Sequence, residues 1–166
     1  MNPGNVRLAL PGDEATLRDL RIRALRTDPA MFGSNLAREL ARSDADWRNW
    51  LTTGATFFYE RDGRALGLVC AQLREHDGRA VELLSMWVDP SARGSIAATA
   101  LVQAVVAWSQ EQRAERLYLH VAVENPRGHR LYEKCGFVFT GKRSVRESDG
   151  FSDFEMAYAA AHERKD

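Results

Sequence analysis

The spacing of apolar residues changes period several times along the chain, and each change marks an element. Val6-Arg7-Leu8-Ala9-Leu10 alternates as a first strand does, after which Leu17, Leu20, Ala24 and Leu25 recur at helical spacing until Asp28-Pro29 stops them. Ser43-Asp44-Ala45-Asp46 has the form of a capping box. Trp47, Trp50 and Leu51 follow it on one helical face, and Gly54 closes the helix. Strand-like runs then occupy Thr56 to Glu60, Ala65 to Leu73 and Ala80 to Val88. The Asp-Gly pairs of Arg61-Asp62-Gly63-Arg64 and His76-Asp77-Gly78-Arg79 separate these runs and read as hairpin turns, which predicts an antiparallel meander.

From Gly94 the period becomes helical again, with Ala97, Leu101, Ala104, Val105 and Trp108 on one face up to the polar run Gln110-Glu111-Gln112-Arg113. Leu117, Leu119, Val121 and Val123 then alternate with Tyr118, His120 and Ala122. This strand, helix, strand order over residues 80–123 predicts a right-handed crossover and a parallel strand pair. Asn125 to Cys135 suits a short helix ended by Gly136. Phe137 to Arg146 and Phe151 to Tyr158 suit a last hairpin across Ser148-Asp149-Gly150. The expected fold is α/β, a mixed central sheet with about four helices.

Composition narrows the class. A chain of 166 residues with 45% hydrophobic and 28% charged residues has the size and balance of one ordinary globular domain, spanning 1–166. Lys plus Arg and Asp plus Glu are equal at 23 each, so no global field draws the protein to nucleic acid or to an anionic membrane. Neither is expected as a partner. No basic stretch leads into an apolar run at the N-terminus, and no apolar segment is long enough to span a bilayer, which predicts a cytoplasmic location. Cys70 and Cys135 lack CxxC or Cys/His metal spacing, so two buried thiols are expected, without metal or disulfide.

The informative junction is Met86-Trp87-Val88-Asp89-Pro90-Ser91-Ala92-Arg93-Gly94-Ser95-Ile96-Ala97-Ala98, where a strand passes into the long helix. The start of a helix offers free N–H groups and a positive dipole end, which suit phosphate without requiring net charge. Gly94 and the small residues Ser95, Ala97 and Ala98 allow close approach, and Arg93 is expected to add a positive charge. Neither the P-loop nor the dinucleotide glycine pattern occurs.

Further on, Asn125-Pro126-Arg127-Gly128-His129-Arg130-Leu131-Tyr132-Glu133-Lys134-Cys135-Gly136-Phe137 resembles the pattern N-x-x-A-x-x-L-Y-x-x-x-G-F of the GNAT superfamily of acetyl-CoA-dependent N-acetyltransferases. It matches at Asn125, Leu131, Tyr132, Gly136 and Phe137. The earlier junction resembles the family's pyrophosphate loop, R-x-x-G-x-G/A after a V-x-P turn, at Val88, Pro90, Arg93 and Ala98. Two positions depart: Ile96 stands where the loop has its first glycine, and Gly128 where the second motif has alanine.

The resemblance implies acetyl-CoA as cosubstrate, with its pyrophosphate at Arg93, Gly94, Ser95, Ile96, Ala97, Ala98 and Thr99. Its pantetheine would bond to the backbone of Met86, Trp87 and Val88 where the parallel strands splay, and Asn125 would be a further coenzyme contact. It also implies an amine acceptor, on a small molecule or on a protein N-terminus or lysine, attacking directly in a ternary complex, with Tyr132 as general acid. Two residues stand as candidates for the base, beside a water-mediated base or none. His120, on the polar side of its strand, has an ordinary pKa near 6.5, and Glu82 lies on the strand leading to Val88. The acceptor is expected between the segment 28–34 and the last hairpin near Arg146 to Phe151. A homodimer is left open. Ile96 supplies an alternative, a domain of the same fold that binds acetyl-CoA without turnover.

Overall fold

The computed structural model describes residues 2–32, 34–147 and 149–159. In chain order the elements are β1 (Asn5–Leu8), α1 (Glu14–Thr27), α2 (Leu36–Leu40), α3 (Asp44–Thr52), β2 (Ala55–Arg61), β3 (Arg64–Arg74), β4 (Asp77–Val88), α4 (Ala97–Glu111), β5 (Arg116–Ala122), α5 (Pro126–Lys134), β6 (Phe137–Val145) and β7 (Ser152–Tyr158). The strands form one seven-stranded sheet in the order β1-β2-β3-β4-β5-β7-β6. Every pairing is antiparallel except β4 with β5.

Strand periodicity divides the core in two. Tyr59 and Val69 face α4 and α5 with Leu101, Val102, Val105 and Tyr132, whereas their chain neighbours Phe58 and Leu68 face α1 and α3 with Leu17, Leu20, Leu25 and Trp47. The capping box at α3 is present, with Ser43 Oγ accepting from Asp46 N at 3.2 Å and Asp46 Oδ2 from Ser43 N at 2.8 Å. No helix of the described residues is long and apolar enough to cross a membrane.

The expected fold stands with one short helix added, and three other expectations need correction. A fifth helix, α2, is capped by Asn35 and anchored by Glu39, which is 1% exposed and accepts from Ser34, Arg21 and Arg42. Asp62 and Gly63 do turn the β2–β3 hairpin, at φ +53° and +75°, but Asp77 and Gly78 belong to β4. Arg74 pairs with Asp77, so the turn falls on Glu75 and His76, and the Asp77 carboxylate is engaged by Arg116 of β5. The long helix begins at Ala97 rather than Gly94. Gly94 adopts φ +74°, a left-handed conformation outside any helix, and Ser95 Oγ ties Ala97 N to Ala92 O. Of the two thiols, Cys70 is buried and Cys135 half-buried; both are free. In the last hairpin Asp149 and Gly150 are described, whereas Ser148 lies outside the described residues.

The parallel ladder positions the site. It runs from Ala80 opposite Arg116 to Leu83 opposite Leu119 and then stops, leaving Leu84–Val88 and His120–Ala122 unpaired with each other. The register of β4 on β3 shifts in this stretch, and Ser85 takes φ +57°, so a bulge turns β4 away from β5. The strands splay.

Candidate active site

A cavity of about 640 Å³ lies at the splay. Met86, Trp87 and Val88 of β4 line it with Arg93, Gly94, Ser95 and Ala98 before and within α4, and Asn125, Gly128, Leu131 and Tyr132 at α5. Asp28, Met31 and Phe32 after α1 also line it, as do Ser144, Arg146 and Asp153 of the last hairpin and its strands, with Glu82 and His120 from the sheet. The segment 28–34 and the last hairpin meet here, since Arg146 donates to Ala30 O at 3.1 Å; Gly33 lies outside the described residues. Three residues of the predicted loop do not line the cavity. Ile96 is 57% exposed, Ala97 is buried in the core, and Thr99 is half-buried on α4.

The N–H groups of Gly94, Ser95 and Ile96 find no acceptor among the described residues. With the first turn of α4 they form an anion-accepting surface. The Arg93 charge does not stand free beside it, as the sequence suggested. Arg93 folds back, donating from Nε to Val88 O at 3.0 Å and pairing with Asp28 at 2.5 Å. Asp28 Oδ2 also accepts from Trp87 Nε1 at 2.8 Å, so one carboxylate ties the end of β4 and the loop before α4 to the segment after α1. Asn125 lines the cavity, but its Oδ1 caps α5 by accepting from Gly128 N at 3.0 Å. A Cβ on residue 128 would stand 2.5 Å from Asn125 Nδ2, so glycine at this position leaves room for the cap.

The two candidate bases are in contact. His120 Nδ1 lies 2.8 Å from Glu82 Oε1, and its Nε2 lies 3.7 Å from Glu155 Oε2. Arg74 stands over the Tyr118 ring, with Nε 3.6 Å from Glu82 and a second nitrogen 3.2 Å from Glu155. The Glu82 hydrogen bond, aided by the charges of Glu82 and Glu155, raises the His120 pKa above 6.5 against the opposing effect of burial. Burial pushes the Glu82 carboxyl upward, but His120 and Arg74 outweigh it and hold Glu82 below its ordinary value. With Nδ1–H donated to Glu82, Nε2 is the nitrogen free to accept a proton.

Tyr132 is 7% exposed, packs edge-on against Phe137 and lines the cavity; its hydroxyl bonds to no described residue. Burial and the neighbouring Cys135 raise its pKa, so the phenol is protonated at neutral pH. Sequence reasoning missed Arg74, Asp153 and Glu155. The strand period carried a signal for the last two, because Asp153 and Glu155 alternate with Phe154 and Met156 on β7 and so share the face of His120.

The family model described as the acetyltransferase (GNAT) family matches residues 15–137. The chain belongs to the GNAT family. As a GNAT acetyltransferase it is an acetyl-CoA-dependent acyltransferase. It is 33% identical over 138 residues to an uncharacterized N-acetyltransferase of Mycobacterium tuberculosis, covering 81% of this chain and 87% of that one. The fold matches a GNAT acetyltransferase structure from Streptococcus pneumoniae with a TM-score of 0.77 at 21% identity, over 93% of this chain and 97% of the other. It also matches a Salmonella typhimurium protein solved with its cofactor acetyl-CoA, with a TM-score of 0.73 at 18% identity over 95% and 96%. The mixed sheet of this chain is thus the GNAT fold.

Proposed function

We propose that residues 1–166 act as one N-acetyltransferase domain that moves the acetyl group of acetyl-CoA directly onto a primary amine within a ternary complex. The observation that carries this reading is the Glu82–His120 pair at 2.8 Å, which lines the same cavity as the loop before α4. In this reading the N–H groups of Gly94, Ser95 and the first turn of α4 hold the pyrophosphate, and the backbone of Met86, Trp87 and Val88 holds the pantetheine arm. Asn125 flanks the coenzyme. His120 Nε2 takes the ammonium proton while Glu82 keeps Nδ1 protonated and the ring in place. The neutral amine attacks the thioester carbonyl, and an N–H at the β4 bulge meets the developing oxyanion. Tyr132 then donates to the departing sulfur.

The experiment is thiol release from acetyl-CoA by the purified chain across a panel of primary amines, with the acetylated amine identified by mass spectrometry. Turnover with at least one amine is expected. Saturable acetyl-CoA binding without turnover of any amine would instead support a sensor. That alternative rested on Ile96, where a branched side chain stands in place of glycine; in our reading this side chain, 57% exposed and not among those lining the cavity, leaves room for the pyrophosphate. Ile96→Gly is accordingly expected to change the acetyl-CoA Kd by less than about threefold, under roughly 0.7 kcal/mol. A clear tightening by titration calorimetry would show that the Ile96 side chain crowds the pyrophosphate.

A further inference from the structure

Arg74, Glu82, His120 and Glu155, each from a different strand, close a circuit on one face of the sheet. Arg74 of β3 stands 3.6 Å from Glu82 Oε2 and donates to Glu155 Oε2 at 3.2 Å. Glu82 Oε1 lies 2.8 Å from His120 Nδ1, and the same Glu155 Oε2 lies 3.7 Å from His120 Nε2. Arg74 reaches Glu155 across β4 and β5 by laying its guanidinium over the Tyr118 ring, 4.0 Å from the centroid. Glu155 is 7% exposed, and its other oxygen is fixed by accepting from Thr140 Oγ1 of β6 at 3.1 Å. One carboxylate is thus held beside each nitrogen of the imidazole.

Two carboxylates against one guanidinium leave the circuit one negative charge while His120 is neutral, and a proton on His120 cancels it. Such a pair of carboxylates favours the imidazolium, and an imidazolium takes no proton from an ammonium group. Arg74 opposes them, because it shares Oε2 of Glu155 with His120 and stands at the Glu82 oxygen that His120 leaves. Its charge lowers the proton affinity of His120, against the raising effect of both glutamates. Asp153, a further carboxylate of β7 near His120, is itself paired with Arg146 at 3.8 Å. We propose that Arg74 is a positioning residue for the base: by holding Glu82 and Glu155 it limits their pull on His120 and extends to lower pH the range in which Nε2 takes the ammonium proton. This deepens the proposed amine acetylation and rests on it, with His120 as the base. Arg74 does not line the cavity, so it acts through the two carboxylates and not on the reacting atoms.

The test is an NMR titration of the His120 imidazole in the full chain, its signal identified by its loss in His120→Gln, beside the pH profile of kcat/KM. Arg74→Gln is expected to move the His120 midpoint, and the acid limb with it, upward by at least about half a pH unit, less than a directly contacting charge supplies. Arg74→Met, whose stem still covers the Tyr118 ring, should do the same and serves where Arg74→Gln does not fold. Arg74→Lys keeps the charge and should move the midpoint less, whereas Glu155→Gln should move it downward. A midpoint that stays or falls in the neutral variants overturns the inference. So does Arg74→Lys moving it as far as Arg74→Gln, the sign of a merely structural role. An acid limb that stays in place while the midpoint moves also overturns it, because His120 is then not the base that Arg74 serves. The expected midpoints in a parent that turns over no amine would uphold the hold of Arg74 on His120 and remove the transfer chemistry.

Discussion

Replacing His120 by Gln is expected to lower kcat by about 10²- to 10⁴-fold, the range that general acid–base catalysis contributes. Acetyl-CoA affinity should hold, because the Glu82–His120 pair belongs to the proposed acceptor side rather than to the loop before α4. The pH profile gives a sharper test. In the proposed mechanism activity requires neutral His120, and Glu82 raises the His120 pKa above 6.5, so the acid limb of kcat/KM should lie above that value in the parent. Glu82→Gln removes the largest upward influence, so the limb should move to lower pH even as the plateau falls. A limb that stays in place would separate His120 from the titrating base. The same pair acts on stability with a fixed sign: a histidine whose folded pKa is raised contributes stability present below its unfolded pKa and lost as pH rises through the folded value.

Long periodic elements were legible in the chain because each repeats its signal. α1, α3, α4 and the strands of the meander stand close to where the apolar spacing puts them. The helix α2 spans only Leu36–Leu40, too few residues to display a period, and its anchor is a buried carboxylate that apolar spacing does not register. Asp77-Gly78 misled because a turn dipeptide reports local preference, whereas the ion pair of Asp77 with Arg116 couples it to a distant strand. Arg93 misled in the same way, since its partner Asp28 lies sixty-five residues away in sequence.

The site was legible as a set of residues but not as contacts. Glu82 and His120 stood as separate candidates because their meeting depends on the parallel register, in which Glu82 falls opposite Tyr118, two residues before His120. Nothing local in either strand specifies that register. The place of β7 between β5 and β6 likewise brings Asp153 and Glu155 beside His120, and that follows from sheet order rather than from any motif.

Tyr132→Phe is expected to lower kcat far more than it weakens acetyl-CoA binding. The change deletes a hydroxyl that bonds to no described residue, so ring packing against Phe137 survives and the melting temperature should move little. Burial makes this phenol a weaker acid than a free tyrosine, whereas the departing thiol has an ordinary pKa near 8.5. Full proton transfer to a free thiolate is therefore uphill. In the proposed mechanism the hydroxyl acts instead by donating a hydrogen bond as the carbon–sulfur bond lengthens, when the sulfur charge has just begun to form. An interaction made only in the transition state lowers kcat and kcat/KM together and leaves coenzyme affinity nearly constant. The expected fall is about 10²-fold, the low end of what acid catalysis supplies. If kcat stays within about threefold of the parent when chemistry limits the rate, a difference under roughly 1 kcal/mol, the donor role fails. Tyr132 is then a packing residue of the cavity wall, and the sulfur takes its proton from water.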